Sequence, residues 1–292
     1  MKPINALEEH KAVHLPIDQL YPFVRHPYQV RDDAEMEELA QSIRENGVLS
    51  PVIVRPLESG PDRYEIVSGH RRVRAAQKAG LTEVPAFVFT ISREEAAILL
   101  VDSNLHRERL LPSEKAFAYK LKLEALRHQG QRTDLTSTQI GEKMLSVERV
   151  AAESETSREQ VRRYIRLTHL NRELLDLMDQ DKIALSVGVE VSYLPPDVQH
   201  ILREEMEIFD CTPSYSQAVR MRKAYTAGVL DIEMIESILS EPKPNQQDHI
   251  RLKRDSFAKY FPSSYTPAQI ERDILKGLEL LRKQRDRYRD PR

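Results

Sequence analysis

The hydrophobic pattern changes period once along this chain, and that change constrains the fold more than any single motif. Up to about residue 104, β-branched runs alternate with helical repeats; from about residue 112 only the helical period remains. Pro51-Val-Ile-Val-Arg55 and Tyr64-Glu-Ile-Val67, parted by the turn Glu58-Ser-Gly-Pro-Asp62, predict a hairpin. Val13 to Ile17 and Val84 to Phe89 predict further strands. Met36, Leu39, Ala40 and Ile43 mark a helix that Asp32 or Asp33 can cap and Gly47 can close. A second helix begins near His70, buries Val73, Ala76 and Ala79, and stops at Gly80. Ser92 can cap a third, with Glu94 and Glu95 in its first turn.

Past residue 112 the expectation is all helix. Pro112 starts a long amphipathic helix with Phe117, Leu121, Leu123 and Leu126 on its apolar face. Gly130 to Ser137 reads as an exposed loop, and short helices follow to about residue 240. Glu241 to Gln247, with two prolines and no apolar residue, reads as a linker. A last helix carries Ile270, Ile274, Leu278 and Leu281 and runs into a basic tail. The predicted fold class is α+β: an N-terminal α/β domain, an all-helical domain and a helical C-terminal module.

Composition narrows the function classes. Lys and Arg number 44 and Asp and Glu 46, a net charge of −2, so any nucleic-acid site must be a local patch. The single cysteine, Cys211, allows no internal disulfide and no cysteine-based zinc site, and no activating histidine stands near it in sequence. The longest apolar run, Ala96 to Val101, is too short to span a bilayer. The N-terminus lacks the apolar core of a signal peptide, and the expected location is cytoplasmic, on nucleoid or plasmid.

Two constellations carry chemistry. In Ile66-Val-Ser-Gly-His-Arg-Arg-Val-Arg-Ala-Ala76 a strand stops at Gly69 and a helix opens with Arg71, Arg72 and Arg74. Cations there oppose the helix dipole, whereas a bound anion would meet unpaired N–H groups and offset that cost. Solvated arginines, or arginines paired with acids elsewhere, are the plainer alternative. The second is Ser146 to Leu167. Val147, Val150 and Ala151 predict the buried side of one short helix; Ser154 to Thr156 predict a turn. Ser157 can cap a second helix that buries Val161 and Ile165. This is the spacing of a helix-turn-helix, with Glu155 in place of the usual turn glycine. Ser157 to Arg172 holds five arginines against one acid, Glu159. Thr156, Ser157, Arg158, Gln160, Arg162, Arg163 and Arg166 are the expected DNA-binding set. Arginines there suit guanine or phosphate and Gln160 suits adenine.

Ser68-Gly-His-Arg-Arg-Val-Arg-Ala75 resembles the Gly-Glu-Arg-Arg-x-Arg-Ala box of ParB/RepB-type partition proteins. Ala40-Gln-Ser-Ile-Arg-Glu-Asn-Gly-Val-Leu-Ser-Pro51 and Asp102-Ser-Asn-Leu-His-Arg-Glu108 resemble two further motifs of that family, in the same order. More narrowly, the chain is similar to versions on mobile elements and plasmids of Gram-positive bacteria. The resemblance implies a tail at 1–12, a ParB-like nucleotide-binding domain at 13–108 and a helical DNA-binding domain at 109–240, with its helix-turn-helix at about 146–167. A linker and possible dimerisation module at 241–292 would complete the chain. It implies that CTP is held by Gly47, Val48, Ser68, Gly69, His70, Arg71, Arg72, Arg74, Asn104 and Arg107, with Mg2+ beside Asn104. It further implies a palindromic duplex site, a ParA-type ATPase partner, a homodimer closed through Ile270 to Leu281, and a CTP-gated clamp. The box glutamate is His70 here and the metal-side glutamate is Ser103, which puts CTP hydrolysis in doubt. The rival readings are a helix-turn-helix regulator without clamp activity, or a nuclease or kinase on the same α/β fold.

Overall fold

The computed structural model describes residues 11–58, 60–105, 110–133, 147–154, 156–241, 260–261 and 265–289. The chain divides into two units, Met1–Glu241 and Pro242–Arg292.

The first unit begins with β1 (Val13–Pro16), a 3-10 turn (Ile17–Gln19) and β2 (Leu20–Tyr21), then α1 (Ala34–Asn46). The hairpin β3 (Val52–Pro56) and β4 (Tyr64–Ser68) leads to α2 (His70–Ala79), β5 (Glu83–Val88) and α3 (Arg93–Leu105). The strands form one sheet in the order β1-β5-β3-β4-β2. β1 is antiparallel to β5, β5 parallel to β3, β3 antiparallel to β4, and β4 parallel to β2. Successive strand residues face opposite sides. Val52, Val54 and Ile66 therefore pack with Met36, Ala40 and Ile43 of α1 and Val73 and Ala76 of α2. Val67 and Ile53 turn the other way, toward α3. Asp33 caps α1 as expected, accepting from the Met36 N–H at 2.9 Å, and Gly47 closes it with φ 70°. Ser92 and Glu95 cap each other at the head of α3, with Ser92 Oγ accepting from the Glu95 N–H at 3.2 Å. The pairing of β2 with β4 has no counterpart in the sequence reading, because two residues are too few to show a period.

α4 (Pro112–Thr133) connects the sheet domain to the helices beyond. Its buried face includes the expected Leu123 and Leu126 but departs from expectation at Phe117. Ala116, Ala118, Tyr119, Lys122, Leu123, Ala125 and Leu126 are buried, whereas Phe117 is 40% exposed. Small side chains lie at the contacts, so neighbouring helices approach closely and the bulky Phe117 stays outside. The described part of α5 (147–153) and α6 (Arg158–Leu167) follow. Val147, Val150, Ala151 and Val161 join Tyr119 and Leu123 and the α3 residues Leu100 and Val101 in one core, so the sheet domain and the helix pair share an interior. Ser146 and Glu155 lie outside the described residues.

α7 (Arg172–Asp179), α8 (Leu185–Val191), α9 (Pro196–Ile208), α10 (Tyr215–Thr226) and α11 (Ile232–Ser240) complete the unit around a second core, including Leu167, Leu174, Met178, Leu202 and Met221. Gly188 permits the α8 crossing: a Cβ there would stand 2.4 Å from Met178 Sδ and 3.3 Å from Leu167 Cδ2. In the second unit, α12 (Pro267–Arg289) leaves Leu275, Leu278, Leu280 and Leu281 exposed.

Candidate functional site

The first site is the junction of β4 and α2. Gly69 holds φ 105°, and a Cβ would stand 2.7 Å from Val52 Cγ1, so glycine is needed for both conformation and space. No side chain caps α2, and its first N–H groups remain unpaired within the helix. The start of this helix lines a cavity of 250 Å³ bounded by His26, Tyr28, Gln29, Val30, Ser68, Gly69, His70, Arg71, Arg72, Ser103 and Asn104. Helix end, guanidinium groups and backbone together suit phosphate oxygens.

Each arginine is placed differently. Arg72 donates to the carbonyls of Ser50 (2.6 Å) and Pro51 (2.8 Å), fixing the segment ahead of β3, and burial lowers its pKa from the usual arginine value. Arg71 lines the cavity and also lies 3.5 Å from Asp33 and 3.4 Å from Glu35. Arg74 does not line it. Asp32 holds its guanidinium by two bonds, at 3.2 and 2.6 Å, and that hydrogen bonding lowers the Asp32 pKa. Gly47 and Val48 are likewise outside the lining, since α1 ends before the cavity wall. Arg107 lies outside the described residues.

The opposite wall was not foreseen. Residues 22–30 have no periodicity, yet long-range bonds pin them over the cavity. The Phe23 N–H donates to His70 Nε2 (3.3 Å), Val24 N–H to Glu65 (3.1 Å) and Gln29 N–H to Glu114 (2.8 Å). Glu65 is itself buried against Arg55 at 2.7 Å. The His26 ring lies 3.8 Å from that of His70, centroid to centroid. The one local sign was a histidine and tyrosine flanking Pro27.

The magnesium expectation does not fit these donors. Among the described residues lining the cavity there is no carboxylate. Asn104 Nδ2 donates to Leu100 O (2.7 Å) and Ser103 Oγ (3.2 Å), and Ser103 Oγ donates to Leu100 O (3.0 Å). The nearest acid in sequence, Asp102, faces away and binds Lys122 at 2.5 Å. Protein-held magnesium favours carboxylates.

The second site is α5–α6. Ser157 Oγ accepts from the Gln160 N–H at 3.1 Å and caps α6. The Ser154 and Thr156 N–H groups return to the carbonyls of Val150 and Ala151, making the turn tight. Arg162 is exposed and Gln160 and Arg163 half-buried. Arg158 pairs with Glu148 on α5. Arg166 donates to Ser192 Oγ (3.1 Å) and Ser192 O (2.6 Å), which makes it a brace between α6 and the end of α8 as well as a surface cation.

A helix-turn-helix sharing its core with an α/β domain that presents an anion-receptive helix end defines the class of the molecule. Residues 1–105 match the family model of the ParB N-terminal domain. The chain carries that domain over those residues. It is 40% identical over 127 residues to the nucleoid occlusion protein of Lysinibacillus sphaericus, covering 41% of this chain and 42% of the relative. It is 36% identical over 186 residues to the chromosome-partitioning protein Spo0J of Thermus thermophilus, covering 64% of this chain and 61% of that protein. The matches thus span from about two fifths to three fifths of the relatives' lengths. A crystal structure of C-terminally truncated ParB from Caulobacter crescentus, complexed to the centromeric parS site, superposes with a TM-score of 0.41 at 23% identity, over 78% of this chain and 98% of that one.

Proposed function

We propose that the chain is a sequence-specific DNA-binding partition protein of a chromosome, plasmid or mobile element, working as a dimeric DNA clamp gated by CTP. The observation that carries this reading is the shared core: residues of α3, the helix behind the nucleotide cavity, and of the DNA-reading pair α5–α6 belong with α4 to one buried cluster. The names of the relatives, chromosome partitioning and nucleoid occlusion, agree with it. Gly69, His70, Arg71 and Arg72 would hold phosphates. At 250 Å³ the cavity is below the roughly 300–1,000 Å³ of whole-ligand pockets, which suits a polyphosphate with its base beyond the rim. In this reading CTP acts as a bound effector, since the described residues lining the cavity include no carboxylate to activate a water.

The functional division would fall near residue 108, with DNA recognition carried by Thr156, Ser157, Arg158, Gln160, Arg162 and Arg163. A ParA-type ATPase and a palindromic site are the partners this reading requires. Calorimetry with CTP, ATP, GTP and UTP tests the pocket: selective CTP binding is expected, and no binding of any nucleotide refutes it. Crosslinking along DNA with and without CTP tests the clamp. Identical footprints would leave a static regulator instead.

A further inference from the structure

A patch beyond the recognition helix has chemistry that the helix pair alone does not account for. Tyr193, in the turn between α8 and α9, is 45% exposed. Two guanidinium carbons stand over its ring, Arg166 of α6 at 4.0 Å and Arg222 of α10 at 4.6 Å. Stacking on an aromatic face orders a guanidinium while leaving its edge donors available.

Two cations against one carboxylate leave this patch with a net positive charge. The hydrogen bonds of Arg166 go to the Ser192 hydroxyl and carbonyl, both neutral. Arg222 has a carboxylate oxygen of Glu190 at 3.0 Å, yet that buried oxygen accepts no aligned hydrogen bond. The guanidinium is thus held between the Tyr193 ring and the Glu190 carboxylate. The positive field extends to His169, whose pKa is lowered by burial first and then by Arg166 and Lys120.

Position identifies the occupant. Arg158, Arg162 and Arg166 repeat every four residues on α6, a row of about 12 Å at the helical rise. Arg166 near the C-terminal end of α6 stacks on Tyr193, so the patch continues the cationic surface of the recognition helix toward the flanking sugar-phosphate backbone. Arg166, Tyr193 and Arg222 lie at that end.

We infer that Tyr193 and Arg222 form a contact to the phosphate backbone of duplex DNA, outside the helix-turn-helix and independent of base sequence. The inference rests on the DNA-binding reading above. Arg222 supplies charge and donors, Tyr193 sets its plane, and Glu190 tempers it.

The test is the salt dependence of full-chain binding to a duplex of arbitrary sequence, read by fluorescence anisotropy. Each phosphate contact contributes about 0.9 to the slope of log K against log salt. Arg222→Gln should lower the slope by about 1 and weaken binding to every duplex alike, whereas Tyr193→Phe should keep the wild-type slope. A folded Arg222→Gln protein with an unchanged slope overturns the inference and leaves the DNA reading intact; wild-type protein that binds no duplex overturns both. Should Arg222→Gln fail to fold, Glu190→Gln decides. Loss of the tempering acid should tighten binding several-fold, and unchanged affinity overturns the contact.

Discussion

Gly69 shows how much a single position carries. Its φ of 105° and the 2.7 Å approach to Val52 leave no room for a methyl group. Gly69→Ala should cost about 1–3 kcal/mol in denaturant unfolding and remove CTP binding in calorimetry. The arginines after it separate by partner. Arg72→Ala should abolish nucleotide binding because it strips charge from the cavity and releases the Ser50 and Pro51 carbonyls together. Arg74→Ala should leave CTP affinity at the wild-type value, since Asp32 holds that side chain outside the cavity. The strand–glycine–helix break and its cations were legible because they are local. The wall from His26 to Val30 was not, because Glu65 and Glu114 position it from 41 and 85 residues away.

At the scale of elements, α4 organises the unit through an unusual buried group. The Lys122 side chain is 0% exposed and lies 2.5 Å from Asp102 of α3 and 2.7 Å from Glu153 of α5. Breaking a buried ion pair costs about 3–5 kcal/mol, but both acids here keep a third of their surface in water. Lys122→Met should therefore cost about 1–3 kcal/mol, seen as a lowered denaturation midpoint. Burial alone would raise the Glu153 pKa; hydrogen bonds from Lys122 and Arg149 outweigh it and leave the group below its usual value. A carboxylate lowered on folding stabilises above its unfolded pKa, and that contribution fades as pH falls through its folded pKa. Glu153→Gln should flatten this part of the acid limb of thermal stability against pH. On α6, Arg162→Ala or Arg163→Ala should weaken operator binding by about 1–3 kcal/mol where the side chain reads a base, and less for a phosphate. The α5–α6 motif was legible from caps and spacing, and on α4 Leu123 and Leu126 are buried as expected, whereas Phe117 is not: close packing there selected alanines and a paired lysine.

For the whole molecule, the change of period near residue 104 correctly separated a sheet-bearing region from a purely helical one. What it hid was that these regions share an interior, since contacts among Val67, Leu100, Leu123 and Val150 leave no local trace. The second unit bears on assembly. α12 exposes Leu275, Leu278 and Leu281, spaced three apart along one side, a face suited to pairing with a second copy. If the proposed dimer closes through this helix, removing residues 245–292 should give a monomer in sedimentation velocity, and an unchanged assembly state would refute the pairing.

The sheet's outer strands bear on how such a protein behaves when crowded. β2 is two residues long and is followed by Pro22, and β1 ends at Pro16. Unpaired backbone at a sheet margin invites a neighbouring strand, and brevity and proline both discourage it. Copies held close together would thus stay individually folded, with little tendency to knit into fibrils through their margins.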